Sequence, residues 1–120
     1  MNGFVDEQLR ALIEIPVAWM PKIPKQLMQV WIDTAFNGGL VIPREQIAML
    51  GLKRASITEA VLADGQIVEL ETYSCYLDWF GKEYRTQVVA NDGIMPLLGT
   101  MLLEKRMLQI DYDAKTVVLK

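Results

Sequence analysis

Residues 30–39 read Val-Trp-Ile-Asp-Thr-Ala-Phe-Asn-Gly-Gly, an apolar run that ends on Asp33 and passes into a turn containing glycine. A carboxylate at that point leaves a buried, pleated segment and enters a turn, where its surroundings can be controlled. Far downstream, residues 94–100 read Ile-Met-Pro-Leu-Leu-Gly-Thr, an apolar pair closed by glycine and followed by a short helical stretch. Each stretch is weak evidence alone. In this order, and roughly sixty residues apart, the two are fairly specific.

Length and composition indicate one globular domain, which we assign to residues 1–120. Hydrophobic residues make up 52% of the 120-residue chain and charged residues 22%, which is a globular rather than a disordered balance. Residues 1–10 are expected to be flexible or to form part of an interface. The net charge is −3 and the twelve basic residues are scattered along the chain, so no basic stripe predicts nucleic-acid binding.

The absence of histidine restricts the chemistry. A chain with no histidine cannot by itself build Cys-His or Ser-His-Asp machinery or a zinc site that contains histidine. Acid–base chemistry must therefore use carboxylates, lysine or tyrosine, and Asp and Glu are the leading candidates. No spacing of acids matches a known metal loop, so we expect neither a metal nor a cofactor.

Cysteine usage and hydropathy bear on location. Cys75 is the only cysteine, so no disulfide can form within the chain; we interpret it as a small apolar strand residue in a reducing compartment. The N-terminal residues do not read as a secretory signal. No stretch approaches the roughly 20 apolar residues that span a bilayer. We therefore expect a cytoplasmic protein with no membrane partner.

Short apolar stretches separated by turn signals predict a mostly β domain with short helices. Asp64-Gly65 between β-prone flanks is a strong hairpin signal, and residues 20–29, with two prolines and two lysines, are predicted to be an exposed connection. Strands are predicted over residues 11–18, 30–33, 39–42, 56–62, 66–78, 83–90, 108–112 and 116–119, and helices over 43–50 and 100–106.

This order of elements resembles the retropepsin-like aspartic proteases, and most of all the small prokaryotic type that carries a single catalytic motif. The resemblance covers about residues 11–120. Phe36, Asn37 and Gly38 follow the family's loop pattern, and so do residues 62–65 and 96–103. It implies an all-β acid-protease half with short helices, a closed β-barrel and a flap hairpin, which acts as an aspartic endopeptidase.

The resemblance also assigns roles to residues. Asp33 would be catalytic, and because the chain carries one Asp-Thr motif, the second carboxylate must come from another copy in a homodimer. That dimer would form through the Asp-Thr-Ala loop and the terminal strands and would bind an extended peptide or protein substrate. The family implies support of the catalytic loop by Thr34, Ala35, Leu97, Leu98 and Gly99, and a flap tip at Ala63, Asp64 and Gly65.

One departure from the family keeps other functions open. Ala35 stands where the family usually has glycine. A negative φ at this residue would tolerate the methyl group, whereas a positive φ, or close contact between two loops, would push the carboxylates apart. The alternatives are a weak or inactive retropepsin-like module for peptide binding or dimerisation, and a regulatory β-domain with no groove. In the last case Asp33 is simply a turn former at a strand end.

Overall fold

The computed structural model describes the backbone of residues 1–120 and every side chain except that of Thr58. The chain is mostly β, with one α-helix and one 3-10 helix in the described residues. The strands are β1 (Asn2–Val5), β2 (Ala11–Ala18), β3 (Gln26–Ile32), β4 (Leu40–Pro43), β5 (Lys53–Val61), β6 (Ile67–Trp79), β7 (Lys82–Asn91), β8 (Leu97–Leu98), β9 (Leu108–Asp111) and β10 (Thr116–Leu119). The helices are α1 (Arg44–Leu50) and the 3-10 helix Thr100–Leu102.

The strands form one sheet in the order β5-β6-β7-β4-β8-β3-β2-β1-β10-β9. An additional pairing joins β2 to β6, with Val17 opposite Leu77 and Ala18 opposite Tyr76. The pairings from β6 to β2 therefore form a ring of six strands. Buried side chains of these strands make up a single hydrophobic core, to which α1 adds Ile47. This arrangement matches the mostly β prediction.

Strand β3 is longer than predicted. Its side chains alternate, with Met28, Val30 and Ile32 buried and Leu27 and Trp31 exposed, which is the pattern of a half-buried strand. The predicted strand began only at residue 30, and residues 26–29 were wrongly included in the preceding connection. Gln29 lies on the exposed face and Gln26 is exposed where the strand begins, so polar residues at both positions are compatible with a strand.

The predicted Asp-Gly hairpin is present, and a second hairpin joins β6 to β7. The strands β5 and β6 pair antiparallel up to Val61 and Ile67, which flank the Asp-Gly turn. The turn between β6 and β7 is formed by Phe80 and Gly81, both with positive φ, as expected for the turn type that matches strand twist.

The two helices differ in how well they were predicted. Helix α1 ends at Gly51, whose left-handed conformation lets its N–H bond the carbonyl of Ala48, as the glycine after residue 50 predicted. The second helix was predicted over residues 100–106, but only Thr100–Leu102 is helical, and that as a 3-10 turn. Lys105 has a φ of 61°, so the chain leaves helical geometry within one turn. The described helices are at most seven residues long, and none could cross a membrane.

The two chain ends lie side by side. Strand β1 pairs with β2 on one side and with β10 on the other, with Phe4 opposite both Leu12 and Thr116. The N-terminal ammonium group donates a hydrogen bond of 2.7 Å to the carbonyl of Leu119. Residues 2–5 are thus an ordered strand, and a role for them in an interface stays a prediction.

Candidate active site

Asp33 follows β3 directly and opens the loop that leads to β4. Its N–H donates to the carbonyl of Leu98 at 2.9 Å, which continues the ladder between β3 and β8 by one residue. One carboxylate oxygen, Oδ1, accepts the N–H of Ala35 at 3.0 Å. Among the described residues no protein group donates to the other oxygen, Oδ2. The half-buried carboxylate is therefore oriented by its own loop and keeps one oxygen available.

Strand β8 lies between β3 and β4 and holds the base of this loop. Leu97 is opposite Trp31 and Leu98 is opposite Ile32 in the parallel pairing with β3. On its other edge, β8 pairs antiparallel with β4, where Leu98 is opposite Leu40. Because β3 and β4 flank β8, the chain that joins them must pass over the end of β8, and that crossing is the Asp33 loop.

Backbone hydrogen bonds fix the loop to the residues that follow β8. The N–H of Gly99 donates to the carbonyl of Gly39 at 2.7 Å, and the N–H of Thr100 donates to the carbonyl of Phe36 at 2.8 Å. The Thr100 hydroxyl also bonds the Phe36 carbonyl, at 3.3 Å. These contacts, which we call the loop clasp, join residues far apart in the sequence and restrain the peptide backbone on both sides of the turn.

Position 99 requires glycine because the backbone of the Asp33 loop lies very close to it, and not because of its own backbone conformation. Its φ of −98° and ψ of 176° are extended values that any residue adopts. A Cβ atom there would overlap the carbonyl oxygen of Gly38 and lie 2.7 Å from that of Phe36. Backbone atoms cannot rotate away as a flexible side chain can, so only a residue without a side chain allows the loop clasp to close.

Ala35 causes no backbone strain in this loop. It is not among the residues with positive φ, so glycine offers no conformational advantage at this position. Both Ala35 and Thr34 are exposed. Among the described residues, the Thr34 hydroxyl makes no hydrogen bond within its own chain. Alanine was expected to be tolerated here if its φ is not positive, and the isolated subunit meets that condition.

The predicted flap tip lies on a different element. Residues 63–65 form the exposed turn between β5 and β6, in which Asp64 Oδ1 accepts the N–H of Gln66 at 2.9 Å and Gly65 has a φ of 85°. Apolar side chains beside the turn face solvent: Val61 is 72% exposed and Ile67 is 66% exposed. In the part of the chain that the structure describes, no hydrogen bond joins this turn to the Asp33 loop. The structure thus brings Asp33 together with residues 97–99, but not with residues 63–65.

Other candidate chemistry is weaker. Burial raises the pKa of the Cys75 thiol to about 11, so this cysteine is a neutral thiol at physiological pH and a poor nucleophile. Among the described side chains, no group of three or more His, Cys, Asp or Glu residues is arranged to hold a metal ion. The Asp33 loop is therefore the best candidate for a catalytic site.

Some residues that shape this site were not predicted to do so. Gly39 was placed at the start of a strand, although its carbonyl oxygen accepts the Gly99 N–H. The Phe36 carbonyl accepts two hydrogen bonds, but Phe36 was noted only for matching a loop pattern. The pair of adjacent glycines at 38–39 was the available signal, because a Cβ atom would overlap the Phe36 ring at position 38 and the Thr86 hydroxyl at position 39.

Comparison with solved structures identifies the fold. The chain is similar to a retropepsin-like aspartic protease from Rickettsia conorii, with a TM-score of 0.68 and 16% sequence identity over 99% of this chain and 88% of that one. It is also similar to the EIAV protease in complex with the inhibitor HBY-793, with a TM-score of 0.59 and 16% identity over 83% of this chain and 90% of that one. No family model and no curated protein matches the sequence. The chain therefore has the retropepsin-like fold.

Proposed function

We propose that this chain is an aspartic endopeptidase that acts as a homodimer, with Asp33 of each subunit at the two-fold axis. The observation that carries the proposal is the clasped loop, which orients the Asp33 carboxylate through Ala35 and leaves Oδ2 available. Peptide hydrolysis by carboxyl groups alone needs two of them facing each other. One subunit offers a single such acid, so a second copy is needed to complete the site.

The chemistry follows from the proximity of the two acids. Two carboxylates a few ångströms apart cannot both ionise easily, so the pair holds one proton. The ionised Asp33 removes a proton from water as the water oxygen attacks the scissile carbonyl carbon. The protonated Asp33 polarises the carbonyl oxygen, and a proton then passes to the departing nitrogen as the C–N bond breaks. The products are a carboxylic acid and an amine.

Neighbouring residues would hold the two acids at working distance. The exposed hydroxyl of Thr34 is available to bond the partner's loop across the axis. Leu97, Leu98 and Gly99 would support the loop from behind through β8 and the loop clasp. The terminal strands β1 and β10 would add to the subunit interface.

The β5–β6 hairpin would serve as a flap over an extended peptide. Residues Ala63, Asp64 and Gly65 form its exposed tip. Exposed apolar residues beside the tip, Val61 and Ile67, would lose contact with water when a peptide or the partner's flap covers them. Pairing of a strand with the substrate backbone and exclusion of water are the two effects expected of such a flap.

The experiment that tests catalysis compares two carboxylate-to-amide variants. The purified chain is incubated with a defined mixture of denatured proteins between mildly acidic and neutral pH, and new termini are identified by mass spectrometry. Asp33→Asn should abolish cleavage, and a pepstatin-type inhibitor should block it. Asp113→Asn removes one carboxylate from an exposed turn and should leave the rate unchanged. Equal cleavage by wild type and Asp33→Asn would exclude catalysis by this residue.

A mixing experiment tests the need for two acids. When equal amounts of wild-type and Asp33→Asn chains exchange subunits at random, about one dimer in four carries two Asp33 residues. Activity at a fixed amount of wild-type chain should then fall to about one half. The alternative, to which Ala35 pointed, is a module that binds peptide without cutting it. That module would bind peptide equally well with either chain and show no cleavage.

A further inference from the structure

A concave surface away from the Asp33 loop gathers cationic and aromatic side chains. Its volume is about 430 Å³, and we call it the basic concavity. Among its lining residues are Trp19, Lys53, Arg54, Ser74, Tyr76 and Arg85. Acids outnumber bases in the whole chain, fifteen to twelve, yet three bases and no acid line this concavity. The lining of this concavity is therefore positively charged, although the chain as a whole is negative.

The register of the sheet explains how residues scattered in the sequence meet here. Lys53 of β5 is opposite Ser74 of β6, and Arg85 of β7 is opposite Tyr76 of β6. Ser74 and Tyr76 are two residues apart on one strand and so point to the same face. Trp19 follows directly after Ala18, the residue of β2 that pairs with Tyr76, and so reaches the same concavity.

The cations of the basic concavity are not neutralised within the chain. In the described residues, Lys53, Arg54 and Arg85 have no carboxylate within 4.0 Å, whereas Lys25 contacts both Asp78 and Glu83. The contacts that do restrain them are uncharged.

Two of these contacts give the cations a defined position. The guanidinium of Arg85 donates to Ser74 Oγ at 2.8 Å. The ammonium of Lys53 lies 5.6 Å from the centre of the Trp19 ring, which is within reach of a cation–π interaction. Neither contact cancels the positive charge of Lys53 or Arg85, and Arg54 is also among the residues that line the concavity. An anionic ligand would therefore gain electrostatic energy without first displacing an acid of this chain.

We propose that the basic concavity binds an acidic peptide segment, a binding site separate from the candidate active site. Guanidinium groups match the geometry of carboxylates and bond them in pairs. Trp19, which is 38% exposed, offers an apolar surface for the side chains between the acids. The cations form one compact cluster and no stripe, so they would not follow a nucleic-acid backbone. The proposal does not depend on catalysis by Asp33.

The test measures binding with the Asp33→Asn chain, so that cleavage cannot consume the probe. Fluorescence anisotropy follows a labelled peptide in which glutamate alternates with leucine, and a second peptide in which every glutamate is replaced by glutamine. The acidic peptide should bind and the glutamine peptide should not. Raising the salt to about 1 M, where the screening length is about 3 Å, should abolish binding.

Variants locate the site. Lys53→Gln and Arg85→Gln should each weaken binding about two- to fivefold, and the double variant by about the product of the two. A matched double variant, Lys82→Gln with Lys120→Gln, removes the same charge outside the basic concavity and should leave affinity unchanged. Circular dichroism confirms that all variants are folded.

Three results would overturn the proposal. One is the absence of salt-sensitive binding of the acidic peptide. Another is an equal loss of affinity in the matched control variant. The third is tighter binding of inorganic phosphate or of a single-stranded oligonucleotide than of the peptide at Lys53 and Arg85, which would assign the basic concavity to a different class of ligand.

Discussion

Gly99→Ala should disrupt the loop clasp while the local backbone conformation stays permitted. The extended φ and ψ of residue 99 suit alanine as well as glycine. On that ground alone, the substitution would stabilise the fold by about 0.4–1 kcal/mol, because alanine restricts the unfolded chain. The added methyl group, however, overlaps the carbonyl oxygen of Gly38 and approaches that of Phe36. The structure therefore predicts a loss of stability, whereas backbone entropy alone predicts a gain.

The size of this stability loss can be estimated from the backbone groups that the added methyl group displaces. Overpacking against atoms that cannot rotate away costs about 1–3 kcal/mol. Moving the carbonyls of Phe36 and Gly38 also weakens the bonds that they accept from Thr100 and Met101, each worth about 0.5–1.5 kcal/mol. The free energy of unfolding should thus fall by about 2–5 kcal/mol, a large part of the total for a domain of this size. The melting temperature should fall by about 10 °C or more.

Urea denaturation, followed by tryptophan fluorescence and circular dichroism, measures this loss. Gly93→Ala is the matched control, because its φ is not positive and the three atoms nearest its added Cβ, at 3.0–3.4 Å, all belong to the side chain of Asn91. By the same argument from backbone entropy, that variant should be up to about 1 kcal/mol more stable than wild type, and it should not show the loss expected for Gly99→Ala. If Gly99→Ala were as stable as wild type, the close approach of the two backbone segments, and the positioning of Asp33 that depends on it, would be wrong.

Three further predictions concern single side chains. Because Ala35 is not strained, Ala35→Gly should lower stability by about 0.4–1 kcal/mol in urea denaturation. It should change kcat by no more than about threefold in the peptide assay if the two loops of the proposed dimer leave room for the methyl group. Burial raises the pKa of Cys75 to about 11, so as the pH rises the thiol loses its proton in the unfolded chain before it does so in the folded chain. Stability should therefore fall between about pH 8.5 and 11, and it should fall less steeply in Cys75→Ala. Bonds from the Lys22 N–H and the Lys25 ammonium lower the pKa of Glu83. The stability that Glu83 contributes should therefore be present at neutral pH and lost on acidification. Wild type and Glu83→Gln should differ at pH 7 in thermal melts and converge as the pH falls through the lowered pKa of Glu83.

Sequence patterns predicted the parts of the fold that depend on local chemistry. The Asp64-Gly65 turn, the glycine that ends α1 and the apolar run of β2 each depend on residues within a few positions of one another. Such signals predict an element and its approximate bounds. The position of Asp33 at the end of a strand was predictable for the same reason.

Long-range contacts explain what the sequence did not reveal. The loop clasp joins residues about sixty positions apart, mostly through backbone atoms. In the sequence it is visible only as the absence of side chains at Gly38, Gly39 and Gly99. The helix over residues 100–106 was predicted from Thr100 as its cap and from Met101, Leu102 and Leu103 as its buried side. It was too long, because Met101 is exposed and Lys105 adopts a left-handed conformation. The pattern of residues 100–106 does not indicate where the chain turns towards β9.

Because this chain has alanine at position 35, two possible reasons for a glycine in the loop can be tested separately. A glycine in the catalytic loop could be needed for its backbone conformation or for the space between two subunits. The φ of Ala35 removes the first requirement within one chain. The second concerns only the distance from Ala35 to its counterpart across the two-fold axis of the proposed homodimer, since its methyl group is exposed in the single subunit. The effect of Ala35→Gly on kcat therefore reports the approach of the two loops, while its effect on stability reports backbone entropy. A gain in kcat of tenfold or more with the expected small loss of stability would locate the constraint at the axis, because a displacement of about 1 Å between reacting groups can change the rate about a hundredfold.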